Sequence, residues 1–272
     1  MMISLKENKG LTLIELMVAL VLSSILIGAI YQTFRSQQKA YVVQDQVVDM
    51  QQNARAAISQ MIREIRMAGF GNVSQVLPAT IGGTLFNNVL NPDVPSAGAL
   101  TIISALGAST TIKSVPAQNQ IVVSSVSDFD TGNRRYISIG GIESHTISNI
   151  DIGTKTITLT GNMVFGHPAD TPVFPIRATS YQVIMDGLTP VLKENGNLGG
   201  GFQPLAENIE TVQFQYFDAN NNPTANPPDI RMIRVTVTAK TERNDPDYKG
   251  GDGYRRRLVV SNVQVRNMGV SP

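Results

Sequence analysis

Residues 10–30 read GLTLIELMVALVLSSILIGAI, and this stretch decides how the chain is organised. From Leu11 to Ile30 it holds one charged residue, Glu15, and no proline. An apolar run of about 20 residues is long enough to cross the hydrocarbon core of a bilayer as a single helix. Lysines at positions 6 and 9 precede the run, and they favour a cytoplasmic N-terminus.

Three interpretations of this N-terminal stretch are possible: a cleaved secretory signal, a plain membrane anchor, and a membrane helix that begins at a cleavage site after Gly10. A cleaved secretory signal has a shorter apolar core, of about 7–15 residues. A plain membrane anchor leaves Glu15 unexplained, because an acidic residue costs about 2.5–3.5 kcal/mol at the bilayer centre and less toward its edge. Cleavage between Gly10 and Leu11 would supply a partner. The new α-amine of Leu11 would lie one helical turn from Glu15, or would face the glutamate of a neighbouring subunit.

Residues Gly10–Leu16, GLTLIEL, resemble the class III signal of type IV prepilins and of type II secretion pseudopilins. The resemblance implies that a prepilin peptidase cleaves after Gly10 and N-methylates Leu11, where phenylalanine is the usual residue. It implies that Glu15 acts in assembly. It also implies partners: other minor pilins or pseudopilins, met through helix 11–68, an inner-membrane assembly platform served by a cytoplasmic motor ATPase, and a large tip adhesin as a further candidate.

The helical pattern continues beyond the apolar run. Apolar residues recur at steps of mostly three and four, which is typical of one face of a helix: Ala40, Val43, Val47, Met50, Ala54, Ala57, Ile58, Met61, Ile65 and Ala68. The glycines at 69 and 71, with Asn72, predict the end of the helix. We therefore expect a leader peptide at 1–10, a transmembrane and assembly helix at 11–31, its amphipathic continuation at 32–70, and a β-rich periplasmic head at 71–272.

The remainder of the chain has the periodicity of strands. Alternation of apolar and polar residues is clearest at 211–217 and 231–240, and it indicates antiparallel sheet with one buried face. Further strands are expected at 99–104, 120–126, 135–139, 155–160, 180–185 and 258–265, with irregular loops over most of 73–119. The predicted fold class is α+β: a pilin-like fold with a long N-terminal helix packed on a mainly antiparallel head, in two sheets.

Parts of the head resemble PilW-type minor pilins and the related GspJ-type pseudopilins. The best points of match are residues 203–209, QPLAENI, and the closing Val265-Arg266-Asn267. Gln32 stands where major pilins often have proline, which favours an accessory subunit. The resemblance implies a minor pilin that helps to initiate pilus assembly and sits at or near the tip. A GspJ-type pseudopilin is the alternative, and a membrane-anchored adhesin or binding module that uses the unmatched residues 73–170 is the second.

Other chemistry finds little support in the sequence. The chain has no cysteine, two isolated histidines, His145 and His167, and a net charge of +1, so we expect no enzyme, no nucleic-acid binding and no cofactor. One acidic loop could offer oxygens to calcium through Asp245, Asp247 and Asp252, although its spacing is not that of an EF-hand. The arginines at 255–257 offer the same loop a simpler role, that of charge pairing.

Overall fold

The computed structural model describes residues 12–73, 77–106, 109–196 and 199–268. One long helix, α1, runs from Leu13 to Met67. The chain divides into two compact units, Met1–Val48 and Asp49–Pro272, and α1 contributes to both. The expected α+β plan, a long N-terminal helix followed by mostly antiparallel strands, is confirmed.

The second unit buries one face of α1. Its buried residues are Met50, Ala54, Ala57, Ile58, Met61 and Ile65, which follow the predicted steps of three and four. The stripe begins later than the sequence suggested, because Ala40 is exposed and Val43 and Val47 are only half-buried. Within the second unit, contacts from α1 reach β-strands 172–186 and 203–207 through side chains of Glu64 and Asn53.

The helix ends where the glycines predicted. Gly69 adopts φ +78°, and a Cβ there would lie 3.0 Å from the backbone oxygen of Asn267. The amide nitrogen of the Asn267 side chain donates to the carbonyl oxygens of Arg66 and Ala68, at 3.4 and 3.3 Å. Arg66 lies in the last turn of α1 and Ala68 directly follows it. Carbonyl groups at a helix C-terminus have no amide partner within the helix. A residue from the far end of the chain therefore caps α1.

Fifteen strands lie in the part of the chain that the structure describes. They are β1 (Ala79–Ile81), β2 (Thr84–Phe86), β3 (Leu90–Pro92), β4 (Leu100–Ala105), β5 (Thr110–Ala117), β6 (Gln120–Val123), β7 (Tyr136–Ile139), β8 (Glu143–Asp151), β9 (Thr156–Leu159), β10 (Pro172–Asp186), β11 (Thr189–Asn195), β12 (Gln203–Glu207), β13 (Ile209–Phe217), β14 (Met232–Lys240) and β15 (Arg256–Gln264). All the strands predicted from sequence are present, with shifted ends.

The largest sheet is organised by β10, which is 15 residues long. Its first part pairs with β5 and β7, and the order β10-β5-β6-β9-β8-β7 then closes on itself as a ring. Its second part lies between β4 and β11 in an open sheet that β3 and β12 extend. One strand thus belongs to a small closed barrel and to the sheet that contacts α1.

The barrel has an apolar interior. The side chains that fill it come from every strand of the ring and from the loops after β6 and β9: Ile112, Ile121, Val123, Phe129, Ile137, Ile139, Ile147, Ile157, Leu159, Met163 and Val173. Along β7 the inward residues Ile137 and Ile139 alternate with Tyr136 and Ser138, as a pleated strand requires.

The described residues form three sheets, so the expectation of two was wrong. Besides the ten-stranded sheet that contains β10, there is a sheet of three strands, β13-β14-β15. The chain enters it at Asn208, which has φ +59°. The additional small ribbon is β1-β2, a hairpin that turns at two glycines of positive φ, Gly82 and Gly83. Five strands also lie between 79 and 117, where the sequence suggested mainly loops. Most of these strands are only three residues long and lie between loops rich in glycine, proline and asparagine, so their periodicity is too weak to be seen.

Candidate functional site

The N-terminus of α1 is built by two side chains, Thr12 and Glu15. The Glu15 amide is 3.3 Å from the Thr12 hydroxyl oxygen, to which it donates. The Thr12 amide and hydroxyl both donate to Oε2 of Glu15, each at 2.9 Å. This reciprocal arrangement of threonine and glutamate three residues apart is a capping box, which satisfies backbone amides that the first turn leaves without partners. Glu15 therefore has a structural role that the sequence analysis did not foresee.

One oxygen of Glu15 stays available. Within the described residues, Oε1 makes no hydrogen bond or ion pair, since both Thr12 groups use Oε2. The large apolar residues around Glu15 are exposed, for example Ile14 and Leu16. By length and composition, α1 contains a segment that could cross a membrane, and none of that segment is buried. The arrangement can thus offer a carboxylate oxygen to a cation outside this chain, in apolar surroundings. Gly10 and Leu11, the predicted cleavage and methylation residues, lie outside the described residues.

The two head segments with the best family resemblance lie beside α1. In the first, the backbone oxygen of Glu207 accepts a hydrogen bond from the Asn53 side chain at 3.3 Å. In the second, Asn267 caps the helix end at Arg66 and Ala68. Both segments fasten the second half of α1 to the head, the first through its backbone and the second through the Asn267 side chain, which gives a physical reason for an asparagine at 267.

The acidic loop after β14 is paired with arginines. The Asp245 carboxylate accepts from the Arg255 guanidinium at 2.8 Å, and Asp247 donates its amide to Asp245. Arg256 bonds both Asp252 and Glu210, at 2.7 Å in each case. The Arg256 hydrogen bonds hold the pKa values of Asp252 and Glu210 below their usual range.

This pairing bears on the predicted calcium site. Within the described residues, no group of three or more histidine or acidic side chains is arranged so that it could hold a metal ion. Asp245 and Asp252 each face a different guanidinium, so a cation would have to displace Arg255 and Arg256. Calcium binding through Asp245, Asp247 and Asp252 stays a prediction.

The two histidines meet at one carboxylate, Glu143, at an end of the barrel. Nε2 of His145 lies 2.8 Å from Oε2, and Nε2 of His167 lies 2.5 Å from Oε1. The amides of Val164 and Phe165 donate to the same two oxygens, at 3.0 and 3.2 Å. Burial raises the pKa of Glu143, but these hydrogen bonds outweigh it and hold the pKa below its usual value.

The Glu143 cluster fixes the loop 163–167 against the barrel. Its side chain is only 8% exposed, and it accepts four hydrogen bonds, so its acceptor capacity is filled. Sequence reasoning missed it because its members are separated by up to 24 residues. One signal was present: Glu143, His145 and Ile147 alternate along β8, which places two polar residues on an inward face.

Comparison with known proteins supports the N-terminal assignment. Residues 5–31 match the family model described as the prokaryotic N-terminal methylation motif. No curated protein matches the chain. Among solved structures, the chain is similar to the type IV-like pilin TTHA1219 from Thermus thermophilus, with 11% identity over 84% of this chain and 98% of that one, and a TM-score of 0.35. That likeness is too loose to support an argument about this chain.

Proposed function

We propose that the chain is a pilin-like assembly subunit, and more narrowly a minor pilin that helps to initiate a type IV pilus and sits at or near its tip. The observation that carries the proposal is Glu15, inside a matched methylation motif. Its Oε1 has no partner in the described chain, and the apolar residues around it are exposed. An unpaired carboxylate in lipid is costly, and a cation from another subunit would lower that cost.

In this proposal, each part of the N-terminal segment takes part in processing, membrane anchoring or assembly. A prepilin peptidase cleaves after Gly10 and methylates Leu11, while the apolar helix holds the protein in the inner membrane with its head in the periplasm. Glu15 then pairs with the α-amine of a neighbouring pilin as the helix leaves lipid for a bundle of similar helices. Thr12 holds the glutamate through Oε2 and leaves Oε1 exposed to that amine.

The test must separate the charge of Glu15 from its capping role. Glutamine also serves in a capping box, so Glu15→Gln keeps the cap and removes the charge, whereas Glu15→Val removes both. Thr12→Val is the matched control, because it weakens the cap and keeps the charge. In the native host, we expect both Glu15 variants to be inserted and cleaved, which the mass of the N-terminal peptide would show. Co-purification with other pilins should fall by about tenfold or more in both Glu15 variants, a loss of about 1.4 kcal/mol.

Each result then has a clear meaning. Normal assembly of Glu15→Gln would overturn the proposal, because the charge would then be unnecessary. Assembly failure of Thr12→Val alone would reduce Glu15 to a helix cap. If the Glu15 variants abolish surface fibres, the machine is a pilus. If they abolish protein secretion and leave fibres intact, the chain is instead a GspJ-type pseudopilin.

A further inference from the structure

A pocket of about 280 Å³ lies on the outer side of the barrel, between the β1-β2 ribbon and β7-β8. Tyr136 and Thr146 are directly paired across β7 and β8, on the face opposite to the inward Ile137. Liquid water occupies about 30 Å³ per molecule, so the pocket is several times larger than one water needs. Its lining comes from four places. These are Pro78 with strand β1 of the ribbon, Tyr136, Ser144, His145 and Thr146 on β7 and β8, Thr160 and Gly161 after β9, and Ile176 on β10.

Hydroxyl groups surround this pocket on several sides. Thr80, Ser144, Thr146 and Thr160 all line it, and in the described part of the chain their side chains have no hydrogen-bond partner. A hydroxyl can donate one hydrogen bond and accept others. Four such groups around one space can therefore bind a molecule that itself both donates and accepts.

A fifth hydroxyl, that of Tyr136, has its donor free. Its oxygen accepts a hydrogen bond from Nη2 of Arg135 at 3.0 Å, and the Arg135 guanidinium lies over the Tyr136 ring. The phenolic hydrogen has no acceptor among the described residues. Because the oxygen already serves as an acceptor, Tyr136 meets a ligand as a hydrogen-bond donor.

Polar groups beside the pocket are also left without partners. Ser138 lies directly opposite Ser144 in the β7-β8 register, and its hydroxyl is buried with no hydrogen bond. Nε of Arg135, next to Tyr136, is likewise buried and unpaired. Buried polar atoms are paired in most proteins, and each exception calls for an explanation. Two of the five such side-chain atoms in the described residues therefore belong to immediate neighbours of lining residues, although Ser138 and Arg135 do not line the pocket themselves.

The lining also limits the charge of a ligand. No aspartate, glutamate, lysine or arginine lines the pocket, and Nε2 of its one histidine, His145, is already paired with Glu143, so a charged ligand would find no free counter-charge there. Pro78, which is exposed, adds apolar contact beside the hydroxyls, whereas Ile81 and Ile176 are almost fully buried behind the lining. A neutral molecule with hydroxyls around its edge and C–H groups on its faces has matching chemistry.

We propose that this pocket is a binding site for a neutral polyhydroxylated ligand, one ring of a carbohydrate. Tyr136 donates a hydrogen bond to a ring hydroxyl, and Ser144, Thr146, Thr160 and Thr80 exchange hydrogen bonds with the others. The ring's C–H face lies against Pro78. The site is separate from Glu15 and does not depend on the assembly role.

The test uses the full chain in a zwitterionic detergent, since a glycoside detergent would compete for the site. Saturation-transfer NMR with the methyl glycosides of glucose, galactose and mannose, and with N-acetylglucosamine, would detect weak binding. Ser144→Ala combined with Thr146→Val removes two pocket hydroxyls at nearly constant volume. Thr158→Val, on the neighbouring strand β9 and outside the lining, is the matched control.

We expect at least one neutral glycoside to bind with a millimolar dissociation constant, and the double variant to weaken binding by about tenfold or more. Thr158→Val should bind as the unmodified protein does. The proposal is overturned if no neutral glycoside binds, if the double variant binds equally well, or if glucuronate binds more tightly than glucose. A matching trisaccharide separates two sources: equal or tighter binding indicates a polysaccharide, and loss of binding indicates a free sugar.

Discussion

Both halves of α1 carry many apolar side chains, and their surroundings are opposite. In the first half, Leu13, Leu22 and Ile27 are each more than 60% exposed. In the second half, Met61 and Ile65 are fully buried against the head. Apolar side chains on a helix therefore predict that its surface will be covered. They do not predict whether the head, lipid or another subunit covers it.

The difference assigns separate consequences to the two halves. Burial in the second half contributes to the stability of the head, because each covered side chain removes apolar area from water. The apolar side chains of the first half are not covered by the described chain. Their burial can therefore contribute free energy only when lipid or another subunit covers them. Substitutions at equivalent helical positions should accordingly have unequal effects on unfolding.

The largest contrast should come from shortening one apolar side chain in each half. Met61→Ala leaves a cavity in the packed face, and such changes cost about 2–5 kcal/mol of the free energy of unfolding. Leu22→Ala, at an exposed position, should change it by less than about 0.5 kcal/mol. Chemical denaturation of the full chain in detergent, followed by tyrosine fluorescence, would measure both. Equal losses would show that the first half also packs within the chain.

A smaller effect should follow from the ion pair between α1 and β10. Nη2 of Arg177 lies 2.6 Å from Oε1 of Glu64, and both side chains are less than a quarter exposed. Removing one partner of a buried pair costs about 3–5 kcal/mol, and partial exposure here reduces that, so we expect Arg177→Met to cost about 2–3 kcal/mol.

The matched control for Arg177 is Lys113→Met. Lys113 pairs with Asp170 at 3.2 Å, but both side chains are mainly exposed, so the loss should stay below about 1 kcal/mol. A cost for Lys113→Met as large as that for Arg177→Met would remove any special role for the contact between α1 and the sheet. Urea midpoints of the two variants, compared at one pH, decide the question.

Sequence reasoning succeeded where the signal is local. The helix, its stop at Gly69 and the strands β13 and β14 all follow from periodicity over neighbouring residues. The ring closure could not be predicted, because β10 pairs with β5 and β7 at sequence separations that no local pattern records. Pro172 and Pro175 concealed the beginning of β10, since proline normally argues against a central strand.

The same limit applies to the candidate sites. Glu15 was visible because a single charge in an apolar run stands out, but its capping partner Thr12 was overlooked although the two are three residues apart. Glu143 was invisible because its partners are contributed by β8 and by the loop 163–167. A site assembled from distant segments can be identified only when the fold is known.

The smallest expected effect is on how stability depends on pH. It compares Glu194, near α1, with Glu143 in the barrel. Burial raises the pKa of Glu194 on β11, Arg177 opposes the shift and Glu64 adds to it. The folded protein therefore holds this proton more tightly than the unfolded chain does. Its contribution to stability is present below the ordinary pKa of 4.5 and is lost as the pH rises through the folded-state pKa. Glu194→Gln should remove that decline.

Glu143 provides the control, because its pKa is displaced the other way. Its contribution is present above the ordinary pKa of 4.5 and is lost as the pH falls through the lower folded-state value. Unfolding free energies measured from pH 3 to pH 8, spanning both windows, should change by no more than about 1.4 kcal/mol per pH unit for one group. Glu194→Gln should flatten the limb above 4.5, and Glu143→Gln the limb below it. If Glu194→Gln alters only the acid limb, the Glu194 carboxyl group is not held in surroundings that raise its pKa.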